Sequence, residues 1–228
     1  MKRIFLPLML LCALALTTVS CGDHNDDVTE PSATGTMTDR EGNTYPWVRI
    51  GDLEWMAENL RCADPWYNYP LVNDWGESLM RVNHYDGEAN LEKYGNFYLY
   101  EDAVKYCPDG WRLPTDDDWK ALERALGVKN VDRFGWADGG GLAMASAASL
   151  HLVFGGKVYH GNNDYAQVCS DHNVGEQGVY WTATKDTVTS DEELAYYRKV
   201  MPNINKVERF TIPTHNVWLS VRYVRDAK

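Results

Sequence analysis

The stretch CPDGWRLPTDDDW, residues 107–119, decides how the middle of the chain folds. Pro114 disfavours a helical conformation for the residue before it, so a helix is expected to begin after the proline. Thr115 is a preferred helix N-cap, and Asp118, three residues later, completes the sequence pattern of a capping box. Carboxylates in the first turn of this helix would each add about 0.3–1 kcal/mol, because the helix N-terminus carries partial positive charge.

The three consecutive carboxylates raise the alternative of a metal-binding or proton-transfer site. Neighbouring residues of a helix point about 100° apart, so Asp116, Asp117 and Asp118 cannot easily converge on one ligand. The pattern therefore predicts a helix start. The apolar stripe that should follow, and the glycine that should end the helix, are Trp119, Leu122, Leu126 and Gly127.

Alternating apolar residues predict strands on both sides of this helix. A hairpin is expected at the start of the domain, with strands at residues 44–50 and 53–57 joined by Gly51-Asp52. Later strands are predicted at 178–185, 194–200, 206–212 and 216–225, and the helical period favours a second helix at 97–107. In the last strand Val217, Leu219, Val221 and Tyr223 share one face. A few helices beside an antiparallel sheet make an α+β domain.

Residues 61–95 show neither strand nor helix periodicity, and we predict a long ordered loop, which in compact domains is often functional. Aromatic rings on such a loop can stack on sugars or bury against a partner. Alternatively, the rings form a small core of the loop itself. The predicted ligand-binding residues are Trp66, Tyr67, Tyr69, Trp75 and Tyr85.

The N-terminus has the layout of a secretory signal, with two basic residues, a short apolar run and small residues. The segment Val19-Ser20-Cys21 resembles a bacterial lipoprotein box, which implies cleavage after residue 20 and a lipid anchor on Cys21. Residues 21–36 are acidic and polar, and we expect a flexible tether. Residues 37–228 then form a single domain, which we place at the outer membrane, facing the cell exterior.

The charge of the chain argues against nucleic acid as a partner. The formal net charge is −11, and removal of residues 1–20 takes away only Lys2 and Arg3, leaving −13. Phosphate binding needs a positive surface. Nine Trp and fourteen Tyr, all after residue 44, instead favour a protein rich in packing and binding surfaces.

Three cysteines remain after the predicted anchor: Cys62, Cys107 and Cys169. In an oxidising compartment we expect one disulfide and one free thiol. The spacing does not select the pair.

Four phrases, in order, resemble one family: IGDLEWMAENL (50–60), YGNFYLYEDAVKYCPDGWRLPTDDDW (94–119), GVYWTAT (178–184) and WLSVRYVRD (218–226). The family is the Fibrobacter succinogenes major paralogous domain, found in secreted and lipid-anchored proteins of Bacteroidetes and Fibrobacteres. The resemblance implies a C-type-lectin-like fold, distantly related to formylglycine-generating enzymes, with two helices, a small twisted antiparallel sheet and long loops. It also implies adhesion to polysaccharide or other surface material.

The chain departs from the family at its cysteines. Family members usually carry a cysteine in the final strand that pairs with the cysteine of CPDGW. Tyr223 stands at that position here, so the resemblance leaves Cys107 without its usual partner. Packing, in part by Tyr223, would then replace the ~2–4 kcal/mol that a disulfide typically adds. A second common cysteine pair is replaced by His84 and Leu91.

Motifs for catalysis are lacking: the sequence has no CxxC, HExxH, GxSxG, phosphate loop or dinucleotide fingerprint. Calcium held by the Asn- and Asp-rich segment 162–176 is an alternative, because lectins of this fold often use such loops. We predict no catalytic residue, no metal and no cofactor.

We therefore expect a non-catalytic surface lipoprotein whose lectin-like domain binds a glycan or a surface partner. The alternative is a structural or adhesin subunit of a surface assembly. An enzyme, either a hydrolase or a formylglycine-type oxidase, is the third hypothesis.

Overall fold

A computed structural model describes residues 31–64, 87–163, 166–187 and 192–228, and only the backbone for 160–163 and 166–172. In chain order the elements are β1 (Ala33–Thr38), β2 (Thr44–Ile50), β3 (Leu53–Met56), α1 (Gly87–Tyr94), α2 (Tyr100–Lys105), α3 (Asp116–Ala125), β4 (Gly135–Asp138), α4 (Gly141–Ala145), β5 (Lys157–Asn163), β6 (Ala166–His172), β7 (Gly178–Asp186), β8 (Leu194–Met201), β9 (Ile204–Pro213), β10 (Val217–Trp218) and β11 (Val224–Asp226).

The strands form three sheets with antiparallel neighbours, in the orders β1-β2-β3-β11, β10-β5-β6 and β4-β9-β8-β7. The C-terminal segment links all three sheets. Its β10 belongs to the second sheet, Ser220 forms a bridge with Tyr180 of β7, and β11 belongs to the first sheet. Helices beside antiparallel sheets confirm the α+β class.

Helix α3 begins as the sequence predicts. The Thr115 side chain accepts a hydrogen bond from the Asp118 backbone N–H, and the Asp118 carboxylate accepts one from the Thr115 N–H, which is a complete capping box. The first turn is also tied to β7, because the Asp116 N–H donates to Thr184 Oγ1 over 2.9 Å. Behind it, Trp119 is fully buried and packs edge-on against Trp55 at 5.0 Å between ring centroids. The motif therefore joins a helix to the main apolar core.

The final predicted strand, 216–225, is divided. Only β10 and β11 pair regularly, and residues 219–223 connect them through isolated contacts. The four residues predicted to share an apolar face are all buried. Ser220 and Arg222 between them are also fully buried, whereas alternation predicts an exposed face. The segment is covered on both sides because it runs between sheets.

Several elements differ from the sequence predictions. Helix α1 lies inside the predicted loop 61–95, and the predicted helix 97–107 is the shorter α2. Strand β1 begins at Ala33, inside the predicted tether 21–36, because its backbone pairs with β2 along its whole length. The ordered domain therefore starts before residue 37.

No helix among the described residues is long and apolar enough to span a membrane.

Candidate functional site

The ligand-binding residues predicted from the sequence, Trp66, Tyr67, Tyr69, Trp75 and Tyr85, lie outside the described residues, as does the predicted anchor Cys21. They stay predictions. Asp64 is the last described residue before the aromatic segment. Its carbonyl accepts a hydrogen bond from the Asn96 side chain over 2.9 Å.

A cleft of about 650 Å³ opens where α2, the β7–β8 pair and the start of β10 meet. This volume lies within the usual range of small-molecule sites. Here "the cleft" means the concavity lined by Leu99, Tyr100, Glu101, Val104, Lys185, Glu193, Thr214, His215, Asn216 and Trp218.

The wall from α2 is rigid and partly apolar. Tyr100 donates its hydroxyl to the Ala183 carbonyl over 2.7 Å, and its ring meets Trp181 edge-on at 5.6 Å between centroids. Val104, one turn later, exposes 51% of its surface. A short helix thus presents an apolar shelf at a position fixed by buried aromatic packing.

The opposite wall is polar and is held by an ion pair and hydrogen bonds. Lys185 Nζ lies 2.9 Å from Glu193 Oε1, and Thr214 Oγ1 donates to the same oxygen over 2.8 Å. Lys185 and Thr214 lower the pKa of Glu193. His215 Nε2 lies 3.2 Å from Glu192 Oε1. A carboxylate stabilised in its ionised form accepts hydrogen bonds and is poorly suited to donate a proton.

Trp218 supplies the large ring of the cleft, and its position follows from strand pairing. Its register partner is Val158 of β5, while its neighbour Val217 is buried in the core. Because side chains alternate along a strand, the half-buried Trp218 points away from the core that Val217 faces, and it lines the cleft. The sequence signal for this site is a tryptophan on the polar face of a predicted strand.

A smaller concavity of about 230 Å³ lies above Arg222. The buried Arg222 guanidinium donates to Asn59 Oδ1 at 2.5 Å and to the carbonyls of Met56, Leu150 and His151 at 2.7–2.9 Å. Burial lowers the pKa of Arg222 to about 10. Its donors are directed at the protein rather than into the concavity, so Arg222 acts as a clamp between segments.

The sequence of the domain matches that of a known family. The sequence model of the Fibrobacter succinogenes major domain matches residues 48–225, more than half of the chain. The chain belongs to this family. No curated protein and no solved structure matches it.

In this Fibrobacter succinogenes major domain, Cys62 and Cys107 are both free thiols. Burial raises the pKa of each to about 11. Tyr223, where the family resemblance implied a cysteine, is fully buried and donates its hydroxyl to the Ala103 carbonyl over 2.6 Å. The side chain of Cys169 lies outside the described part. Packing and a buried hydrogen bond thus occupy the place of a disulfide.

The segment 162–176, for which calcium binding is an alternative, is described only in part, because the side chains of 162–172 lie outside the described residues. Residues 166–172 form β6, which pairs with β5 in a hairpin. Among the described residues, no group of three or more His, Cys, Asp or Glu side chains is placed to hold a metal ion.

Proposed function

We propose that this protein is a non-catalytic cell-surface lipoprotein that recognises a glycan through the cleft. The observation that carries the proposal is the combination of the Trp218 ring with an apolar shelf and a wall of fixed acceptors. A sugar offers a flat apolar face and a rim of hydroxyl groups. The first suits an aromatic ring, and the second suits carboxylate, amide and hydroxyl side chains.

The charge pairs of the cleft favour binding over hydrolysis. A glycoside hydrolase needs one carboxylic acid with a raised pKa as the proton donor. Glu193 has the opposite property, since Lys185 and Thr214 hold it ionised. The same contacts fix the acceptor in place, which reduces the entropy lost when a ligand binds.

The compartment and the finer fold are parts of the same proposal. The apolar leader, the lipoprotein-like segment ending at Cys21 and the acidic residues behind it support export and lipid anchoring. Membership of the family supports a lectin-like arrangement of the helices and sheets. Anchored at the outer membrane and facing outward, the cleft would meet polysaccharide or the surface of another cell.

A glycan panel tests the proposal directly. The natively processed protein, purified from membranes in detergent, is applied to immobilised plant, host and microbial glycans. The best ligand is then measured with Trp218→Ala, for which we expect a loss of about tenfold or more, or ~1.4 kcal/mol. Leu142→Ala is the control, because this residue is 48% exposed and lies near Asn205, at the other end of β9 from the cleft.

Folded protein that binds no glycan on the panel would show that the glycan proposal is wrong. Co-purification of a stoichiometric protein in that case would support the alternative of a structural subunit. Binding that Trp218→Ala leaves unchanged would place recognition outside the cleft.

A further inference from the structure

A second surface carries charge and aromatic groups that the cleft does not use. It lies on one face of the β4-β9-β8-β7 sheet and includes Lys157, the first residue of β5. We call it the sheet-face strip, and it consists of Trp136, Lys157, Tyr197, Lys199, Glu208 and Phe210.

The register of the strands places these residues side by side. Glu208 of β9 is opposite Trp136 of β4 and opposite Lys199 of β8. Two pairs further along, and therefore on the same face, Phe210 is opposite Tyr197. Directly opposed residues of antiparallel strands point to the same face, so the strip is continuous across three strands.

The strip contains one more positive charge than negative charge. Lys199 Nζ lies 2.5 Å from Glu208 Oε2, and the Tyr197 hydroxyl donates to the same oxygen over 2.9 Å. Lys199 also lies over the Trp136 ring, 4.9 Å from its centroid. One oxygen of the Glu208 carboxylate is thus shared by a lysine and a tyrosine.

Lys157 is the additional cation. It is half-buried, and among the described side chains no carboxylate forms an ion pair with it. Burial, with a smaller contribution from Lys199, lowers its pKa, and the negative charge of Glu208 offsets this only in part. A partly desolvated ammonium that contacts no carboxylate among the described side chains is costly, and an anion that reached it would relieve that cost.

Aromatic rings continue the strip toward solvent. Phe210 is 41% exposed and packs against Phe134, itself 49% exposed, with the ring centroids 4.2 Å apart. A ligand that placed an anionic group at Lys157 and extended across the sheet would therefore cover apolar rings as well. The strip has two lysines, which is fewer than the several phosphate contacts that binding along a nucleic acid backbone uses, so nucleic acid is disfavoured as that ligand.

We propose that the sheet-face strip binds an acidic polysaccharide, with a uronate carboxylate at Lys157 and Lys199 and the sugar rings over Phe210. The carboxylate would form charge-assisted hydrogen bonds in a partly desolvated setting, where they are strongest. This inference goes beyond the glycan recognition proposed for the cleft, because it assigns a different surface and a specific charge class.

The test uses polygalacturonate, alginate and hyaluronan as probes, with methyl-esterified polygalacturonate as the uncharged counterpart of the first. Binding of the natively processed protein is measured by calorimetry or by retention on immobilised polymer. We expect binding to the charged polymers, at least about tenfold weaker binding to the methyl ester, and loss of binding in ~1 M NaCl, where charges are screened within ~3 Å.

Two variants locate the site. Lys157→Gln should weaken polygalacturonate binding by about tenfold or more, and Phe210→Ala should weaken it several-fold. Lys105→Gln is the matched control, because it removes the same charge from an exposed position of α2. Trp218→Ala should leave this binding unchanged, which separates failure of the strip from failure of the cleft.

Several outcomes would overturn the proposal. These are no binding of the wild-type protein to any of the three acidic polymers, equal binding to the methyl ester, or equal losses for Lys157→Gln and Lys105→Gln. Self-association that Phe210→Ala abolishes, without any polymer binding, would instead identify the strip as an interface between two copies. Binding to vesicles of anionic lipid but to no polymer would identify a membrane contact.

Discussion

Replacement of Asp116 by asparagine should destabilise the fold more than its place at a helix start suggests. The carboxylate is buried and is shared by three cations: Arg209 Nε at 2.8 Å, Arg198 Nη1 at 2.9 Å and Lys120 Nζ at 3.0 Å. Arg198 is fully buried and also binds Glu123. Without the Asp116 charge, Glu123 would be the remaining buried carboxylate beside Arg198 and Arg209, while Lys120 would keep the exposed Asp132 and Asp117.

The magnitude follows from the cost of leaving a buried charge uncompensated. Removal of one member of a buried ion pair typically costs 3–5 kcal/mol. Asparagine retains one acceptor oxygen, so we expect a loss of about 3 kcal/mol for Asp116→Asn. For a domain of this size, that corresponds to a fall in Tm of about 6–12 °C. The free energy of unfolding is measured by urea titration followed through tryptophan fluorescence.

Asp117→Asn is the matched control. Asp117 is the neighbouring residue of the same motif, but its side chain is 92% exposed, and its one ion pair among the described residues is with Lys120, at 3.6 Å. Its replacement should lower the free energy of unfolding by less than about 1 kcal/mol, since it removes one first-turn carboxylate and one exposed ion pair. A loss below ~1 kcal/mol for Asp116→Asn, or equal losses for the two variants, would refute the reasoning.

Asp116 and its three cations, Arg198, Arg209 and Lys120, form a charge cluster, which predicts that the stability of the fold depends on pH. Burial opposes ionisation of Asp116, but the hydrogen bonds and charges of Arg209, Arg198 and Lys120 outweigh it and hold its pKa well below the ordinary value. A depressed folded-state pKa contributes stability that is present above the unfolded pKa of about 3.9 and is lost as the pH falls toward the folded pKa. The stability difference between wild type and Asp116→Asn should therefore be constant near neutral pH and shrink below about pH 4. A difference that grows on acidification would contradict this assignment.

Two further predictions concern the residues around the missing disulfide. Tyr223→Phe removes the hydroxyl that donates to the Ala103 carbonyl and should cost about 1 kcal/mol in urea titration, and an unchanged stability would show that this bond adds nothing. Burial raises the pKa of Cys62 and Cys107 to about 11, so few of these thiols are ionised at pH 8. Because the thiolate is the reactive form, iodoacetamide should alkylate the folded protein at pH 8 on the order of 100-fold more slowly than the protein unfolded in urea. The reaction with the folded protein should accelerate up to pH 11. Rapid labelling of either thiol at pH 8 would contradict the burial.

Local rules predicted much of the fold. The capping box at Thr115 and the strand β2 have the predicted residues, because both depend on side chains a few positions apart. The directions of the three aspartates also follow from helix geometry: Asp116 points to the cluster, Asp117 to solvent and Asp118 to Arg112.

The remainder depends on contacts distant in sequence. Arg198 and Arg209 lie 82 and 93 residues from Asp116, so no local pattern links them. Burial of Arg222 on the expected polar face requires carbonyls from two other segments. Local sequence patterns do not predict the cleft for the same reason, because Trp218 lines a concavity only when α2 and the β7–β8 pair lie beside it.

The claim that the cleft is the recognition surface is tested most directly by hydrogen–deuterium exchange of the natively processed protein, with and without its best glycan. The account predicts that the glycan slows exchange in residues 99–104 and 214–218, and that Trp218→Ala removes this protection. Protection confined to other segments, with these two unchanged, would contradict it.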